Sequence, residues 1–89
     1  MNLRSFLNKL IWDNNPKYRL EDYDIVYIHR GAPNNLLRIN GSEITRIYSD
    51  SFEYYDKNLD EKKRIPFHRI EQIINYVKKE TIYQKTVRS

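Results

Sequence analysis

The sequence predicts an α+β domain in which an N-terminal helix packs on a curved, mostly antiparallel sheet of about five to six short strands. Three observations predict this class. Apolar residues recur at helical spacing over residues 2–12. Short runs of β-branched and aromatic residues follow, separated by turn signals. A chain of 89 residues supports one domain, so we assign residues 1–89 to a single domain.

The helix is predicted from the spacing of its apolar face, which is formed by Leu3, Phe6, Leu7, Leu10 and Ile11. The following segment, Asp13-Asn14-Asn15-Pro16, ends the helix because Asn and Pro favour turns and Pro restricts the residue before it.

Strands are predicted next. Residues 23–30 (YDIVYIHR) form the first, and residues 31–35 a loop. Residues 36–39 form a short strand that the turn signal Asn40-Gly41 closes. Residues 44–48 and 52–55 are predicted to pair around Ser49-Asp50.

The next stretch is polar. Residues 57–62 are predicted to form a solvated loop, and residues 64–67 are extended because Pro66 biases Ile65 towards β geometry.

The segment after Pro66 admits two interpretations. Ile70, Ile73, Ile74 and Val77 have the spacing of an amphipathic helix. The same residues also fit a bulged strand that forms a hairpin with residues 81–85.

Composition excludes several classes of protein. The chain has no cysteine, so it has neither a disulfide framework nor a thiolate metal site, and we expect a cytoplasmic protein. Its first residues are too charged for a signal peptide, and no apolar run approaches the roughly 18–20 residues of a membrane span. We therefore expect no membrane association.

The net charge of +4 is unevenly distributed. Residues 1–61 contain eight basic and ten acidic residues, whereas residues 62–89 contain eight basic and two acidic ones. A focused basic surface favours an anionic partner, most often a nucleic acid, although a basic tail also serves solubility.

Both histidines are followed by arginine, in His29-Arg30 and His68-Arg69. Arg matches phosphate oxygens bidentately, and His donates to phosphate. Adjacent residues of a strand point to opposite faces, so one pair reaches a single site only where the strand bulges or ends. Otherwise a pocket would take one residue from each pair.

Other catalytic and cofactor motifs are missing. The only glycines are Gly31 and Gly41, so there is no Gly-rich phosphate loop. There is no zinc-protease helix and no nucleophile elbow, and the two histidines lack metal-ligand spacing. We expect no cofactor and no metal. The two histidines could still act as acid and base in RNA cleavage.

Residues 65–70 (IPFHRI) resemble the Ile-Pro-x-His-Arg-Ile signature of the small RNA cyclic group end recognition domain family, formerly a domain of unknown function and frequent in archaea. Residues 10–13 (LIWD), 23–30 and 41–44 (GSEI) also resemble family segments, in the same order. The family commonly ends in a Gly turn and a Trp, whereas this chain has Lys78-Lys79-Glu80 and Tyr83. The resemblance covers nearly the whole chain and favours the C-terminal hairpin over the helix.

The resemblance implies an α+β stand-alone domain that recognises RNA termini, including 2′,3′-cyclic phosphate ends, in RNA processing or repair. Family members are joined to RNA-processing domains, so it also implies RNA-processing enzymes as partners. By position, His68 and Arg69 would bind the end with Arg30 as their partner. His29 stands where family members often have Asp.

This role suggests further contacts. The terminal base would stack on Tyr27 or Tyr54, although any one tyrosine is more often a residue at the edge of the core. The upstream phosphates would lie on Lys62, Lys63 and Arg64, although basic runs are most often solvated loops.

We therefore predict a non-enzymatic module whose partner is a single-stranded RNA end. Two alternatives stay open. One is a metal-free ribonuclease or phosphodiesterase that uses His29 and His68. The other is a protein-interaction subunit of an RNA-processing complex. We expect a monomer or a homodimer, since an unpaired sheet edge would make a dimer easy to form.

Overall fold

The computed structural model describes residues 3–12 and 19–85. They form one helix, α1 (Leu3–Trp12), followed by seven strands. The strands are β1 (Tyr23–Ile28), β2 (Leu36–Asn40), β3 (Ile44–Ile47), β4 (Ser51–Asp56), β5 (Glu61–Pro66), β6 (Ile70–Asn75) and β7 (Glu80–Gln84). The turn predicted at residues 13–16 lies outside the described residues. No helix of the described part is long and apolar enough to cross a membrane.

The strands form two antiparallel sheets, with the orders β2-β1-β6-β7 and β3-β4-β5. The predicted α+β class is confirmed, but the prediction of one curved sheet of five to six strands is wrong. The reason lies in two short 3-10 turns that carry the chain from one sheet to the other. Gly41–Glu43 joins β2 to β3, and Phe67–Arg69 joins β5 to β6.

The turn at Gly41–Glu43 is held by a reciprocal cap. The Ser42 amide donates to the Asn40 side-chain oxygen at 3.0 Å, and the Asn40 amide donates to Glu43 Oε2 at 3.2 Å. A residue with a side chain does not fit in place of Gly41, because its Cβ would lie 2.2 Å from the Leu20 carbonyl oxygen. The Asn40-Gly41 signal thus marks a crossing between sheets and not a hairpin.

The core lies between the two sheets and the helix. Leu7 and Leu10 of α1 join it, together with buried residues of both sheets such as Ile25, Phe52 and Ile73. Tyr27 of β1 and Tyr54 of β4 connect the sheets directly, because their hydroxyl oxygens lie 2.5 Å apart inside the core. Burial, together with the hydrogen bond to Tyr27, raises the pKa of Tyr54.

The C-terminal segment is the hairpin that the family resemblance favours, formed by β6 and β7. In β6, Ile70 is paired with Tyr27 of β1 and Gln72 with Val26, so Glu71 is an extra, bulged residue. The bulge puts Ile70 and Ile73, three residues apart, on the buried face. A spacing that also fits a helix therefore arises in a strand.

The predicted loop over residues 57–62 is shorter in the structure, because β5 begins at Glu61. Only residues 57–60 form the turn, in which the Asn58 and Leu59 amides donate to Asp56 Oδ1 at 2.9 and 3.2 Å. Lys63 of β5 pairs with Asp56 of β4 at 3.3 Å. Charged side chains that look like loop residues in the sequence are thus paired across a hairpin.

Candidate functional site

The two His-Arg pairs meet at one end of β1 and β6, the two central strands of the four-stranded sheet. Strand β1 ends at Ile28, so His29 and Arg30 follow its last residue, while His68 and Arg69 lie in the 3-10 turn that leads into β6. Strands β1 and β6 are antiparallel neighbours with Tyr27 opposite Ile70. The end of one strand therefore lies beside the start of the other.

Together these residues line a cleft of about 430 Å³. Its lining consists of Ile28, His29, Arg30, His68, Arg69 and Lys85. All four members of the two His-Arg pairs take part, because each pair lies where regular strand geometry has ended. The cleft thus holds two imidazoles and three basic side chains, and within residues 3–12 and 19–85 no carboxylate lines it.

The backbone on the β1 side of the cleft is fixed by a compact loop. The His29 amide donates to the Asn35 carbonyl at 2.8 Å, and the His29 carbonyl accepts from the Ala32 amide at 3.3 Å. Gly31 follows Arg30 with a φ of +92°, which a residue with a side chain rarely adopts. This loop turns the chain immediately after the His-Arg pair.

Lys85 closes the opposite side of the cleft. Its amide donates to the Glu71 carbonyl at 2.8 Å, and its Nζ donates to the His68 carbonyl at 2.6 Å. The second bond ties the end of β7 to the turn that carries His68. Sequence analysis did not single out Lys85, although its place in the basic last third of the chain was a signal.

The two arginines of the cleft have no acidic partner, unlike several other basic residues of the described chain. Within residues 3–12 and 19–85, neither Arg30 nor Arg69 forms an ion pair, and both side chains are exposed. Arg38, by contrast, pairs with Asp24 at 2.7 Å. Two arginine charges without an acidic partner therefore lie together at the cleft, where an anion would meet them.

The basic run at residues 62–64 is not part of the cleft lining. It lies on β5, in the other sheet, and each of its members has an acidic partner. Lys62 lies 3.9 Å from Glu53, and Arg64 lies 3.2 Å from Asp50 and stacks over the Tyr48 ring at 3.9 Å. The predicted contact of this run with upstream phosphates stays a prediction, and these acidic partners compete with it.

The two tyrosines predicted to stack on a base are in the core. Tyr27 is 0% exposed and Tyr54 is 3% exposed, and their hydroxyls bond to each other. A base has no access to either ring face. Stacking of a base on Tyr27 or Tyr54 is therefore wrong, and both residues act as core residues that join the sheets.

The fold and this cleft define a small α+β domain whose described residues bring two arginines, a lysine and two histidines to one cleft. Over residues 1–85 the sequence matches the MJ1316 RNA cyclic group end recognition domain, and the chain belongs to that family. The resemblance stated from the sequence is thereby confirmed.

The chain is also similar to UPF0248 proteins of archaea. It is 41% identical to one from Methanococcus maripaludis strain S2, over 93% of this chain and 97% of the relative. It is 40% identical to one from Methanococcus vannielii, over 93% of this chain and 90% of the relative. It is 34% identical to one from Methanocaldococcus jannaschii, over 93% and 92%. No solved structure gives a significant match.

Proposed function

We propose that this chain is an RNA-binding module that recognises RNA termini, among them 2′,3′-cyclic phosphate ends, in RNA processing or repair. The observation that carries the proposal is the cleft in which Arg30, Arg69 and Lys85 meet with no carboxylate among the lining residues that the structure describes. The family description, which names RNA cyclic group ends, supports the choice of ligand.

The chemistry of the cleft suits a terminal phosphate. A cyclic phosphate carries one negative charge and has no free 2′-hydroxyl, so it is recognised by donors to its oxygens. In the proposed complex, Arg30 and Arg69 donate to the phosphate oxygens from two sides, and His68 donates one further bond. Each charge-assisted hydrogen bond contributes roughly 1.5–3 kcal/mol.

The proposal is tested by a binding comparison with one short RNA that ends in a 2′,3′-cyclic phosphate, a 3′-phosphate or a 3′-hydroxyl, at ~100 mM salt because affinity depends on salt. We expect tighter binding of the cyclic end, and loss of that preference in Arg69→Ala. The matched control is Arg46→Ala, which removes an equal charge from β3, outside the cleft lining.

Equal binding of all three ends by the wild-type protein would contradict end recognition. Weak, equal binding would leave only a general basic surface and would favour the role of a protein-interaction subunit.

A second candidate function is metal-free cleavage of RNA. One observation favours it: His29 and His68 line the same cleft, which is what an acid–base pair requires. The RNAs recovered from the binding experiment would then be shortened, with a bell-shaped pH profile that either His29→Ala or His68→Ala abolishes. Intact RNA after prolonged incubation would rule out this second function and leave binding alone.

A further inference from the structure

A second cleft of about 460 Å³ adjoins the first and shares His68 and Lys85 with it. Its remaining lining comes from elements distant in sequence: Leu3 and Arg4 of α1, Ser49 of the β3–β4 turn, Phe67, and Tyr83 of β7. The hydrogen bond from Lys85 Nζ to the His68 carbonyl, 2.6 Å long, lies in the shared wall. The two clefts therefore lie side by side, with these shared residues between them.

The second cleft differs from the first in its chemistry. Phe67 and Tyr83 are half-buried and pack against the core, while both also line the cleft. Core packing holds these rings in place, so a flat ligand can stack on them without ordering a free side chain. Arg4 is exposed and adds one positive charge at this cleft.

We propose that the second cleft binds the base of the terminal nucleotide, stacked against Tyr83 and Phe67, while the terminal phosphate occupies the first cleft. This inference rests on the proposed function. A nucleotide joins a phosphate to a planar base through one sugar, and the two adjoining clefts offer cations on one side and aromatic rings on the other. Arg4 then contacts the phosphate on the 5′ side of that nucleotide.

The test compares two RNAs with the same 2′,3′-cyclic phosphate end, one with a terminal base and one in which hydrogen replaces that base. Stacking of a base on an aromatic side chain corresponds to about 5- to 150-fold in affinity, so we expect the wild-type protein to bind the base-free end that much more weakly. Tyr83→Leu should bind both RNAs with the lower affinity, whereas Tyr83→Phe should retain the difference.

Tyr76→Leu is the matched control, because Tyr76 is a tyrosine of the β6–β7 turn, 46% exposed and outside both cleft linings. A terminal 2-aminopurine gives a direct readout: its fluorescence should be quenched on binding to wild type and Tyr76→Leu but not to Tyr83→Leu. If Tyr83→Leu fails to fold, the comparison of the two RNAs on the wild-type protein still tests whether the terminal base is bound.

Equal affinity of the wild-type protein for the two RNAs overturns the base subsite. When that result accompanies an end preference that Arg69→Ala abolishes, the proposed function stands and only this inference fails. Loss of any preference among end chemistries is a failure of the proposed function itself.

Discussion

At the scale of single residues, the hydrogen bond between Tyr27 and Tyr54 links the two sheets. Among the described residues it is the one hydrogen bond that joins side chains on their buried faces. Each hydroxyl is removed from water and has the other as its partner. A buried hydroxyl that loses its partner costs more than the bond itself contributes, because its lost hydration is not replaced. The pair therefore favours this one arrangement of the sheets over others with the same apolar contacts.

We expect Tyr54→Phe and Tyr27→Phe each to lower the free energy of unfolding by about 1–3 kcal/mol, because each leaves one buried hydroxyl without a partner. The double variant should cost less than the sum of the two, since it leaves no such group. Urea denaturation of the four proteins measures this coupling. Additive losses would show that the two hydroxyls do not depend on each other.

The candidate site could be predicted only in part from single residues. The repeated His-Arg pairs were visible in the sequence, and the structure brings all four residues to one cleft. Lys85 has no such local signal, because only the pairing of β7 with β6 carries it to His68. The accessibility of Tyr27 was misjudged for a similar reason: a tyrosine looks the same in the sequence whether its ring faces a base or a second sheet.

At the scale of elements, strand β6 shows why periodicity alone left two interpretations open. A regular strand buries every second residue, but the bulge at Glu71 separates the buried Ile70 and Ile73 by three positions. A spacing of three residues is also found between neighbours on one face of a helix. No local pattern separates the two structures, so the hairpin followed from the family resemblance.

Two carboxylates of the three-stranded sheet, Glu53 and Asp56, have lowered pKa values. The pKa of Glu53 is lowered by a hydrogen bond from Thr45, 2.8 Å long, with help from Tyr48 and Lys62. Burial alone would raise the pKa of Asp56, but the Leu59 and Asn58 amides and Lys63 outweigh it and lower that pKa. Both groups therefore bind protons less readily in the folded chain than in the unfolded one.

This sheet should make the fold sensitive to acid. A lowered pKa contributes stability that is complete above the ordinary values, 4.5 for Glu and 3.8 for Asp, and that is lost as the pH falls through the lower folded values. We expect the free energy of unfolding to fall as the pH drops below about 4.5. In Glu53→Gln/Asp56→Asn it should fall less steeply. Denaturation at a series of pH values gives both slopes, and equal slopes would assign the acid sensitivity to other groups.

At the scale of the whole molecule, the two-sheet architecture follows from the direction of its turns. That direction depends on contacts with residues distant in the sequence. Asn40-Gly41 is a hairpin signal by composition, yet the contact of Gly41 with the Leu20 carbonyl directs the chain out of the first sheet. The α+β class, the helix and the succession of strands were predictable because they depend on local pattern. The division into two sheets was not, because it depends on what each turn packs against.

The structure shows where the unevenly distributed charge of the sequence lies in the fold. The sequence placed the positive excess in the last third. Within the described residues, Lys78 and Lys79 of that third lie exposed in the β6–β7 turn, and its other basic residues form two groups. Lys62, Lys63 and Arg64 face carboxylates of the three-stranded sheet, whereas Arg69 and Lys85 line the cleft with Arg30. Binding of RNA should therefore depend on a few cations at one place and not on the net charge of +4.

This view predicts a specific response to salt. The logarithm of affinity for single strands falls with the logarithm of salt concentration by about 0.7 for each phosphate neutralised. A cleft that holds the terminal phosphate and its 5′ neighbour should give a slope of about −1.4 that is the same for RNAs of 6 and of roughly 20 nucleotides. Arg4→Ala, which removes the contact to the 5′ phosphate, should make the slope shallower by about 0.7, and Arg46→Ala should leave it unchanged. Titrations at four salt concentrations measure these slopes. A slope that steepens with RNA length would mean that the strand lies along an extended basic surface, because only further phosphate contacts release further counterions.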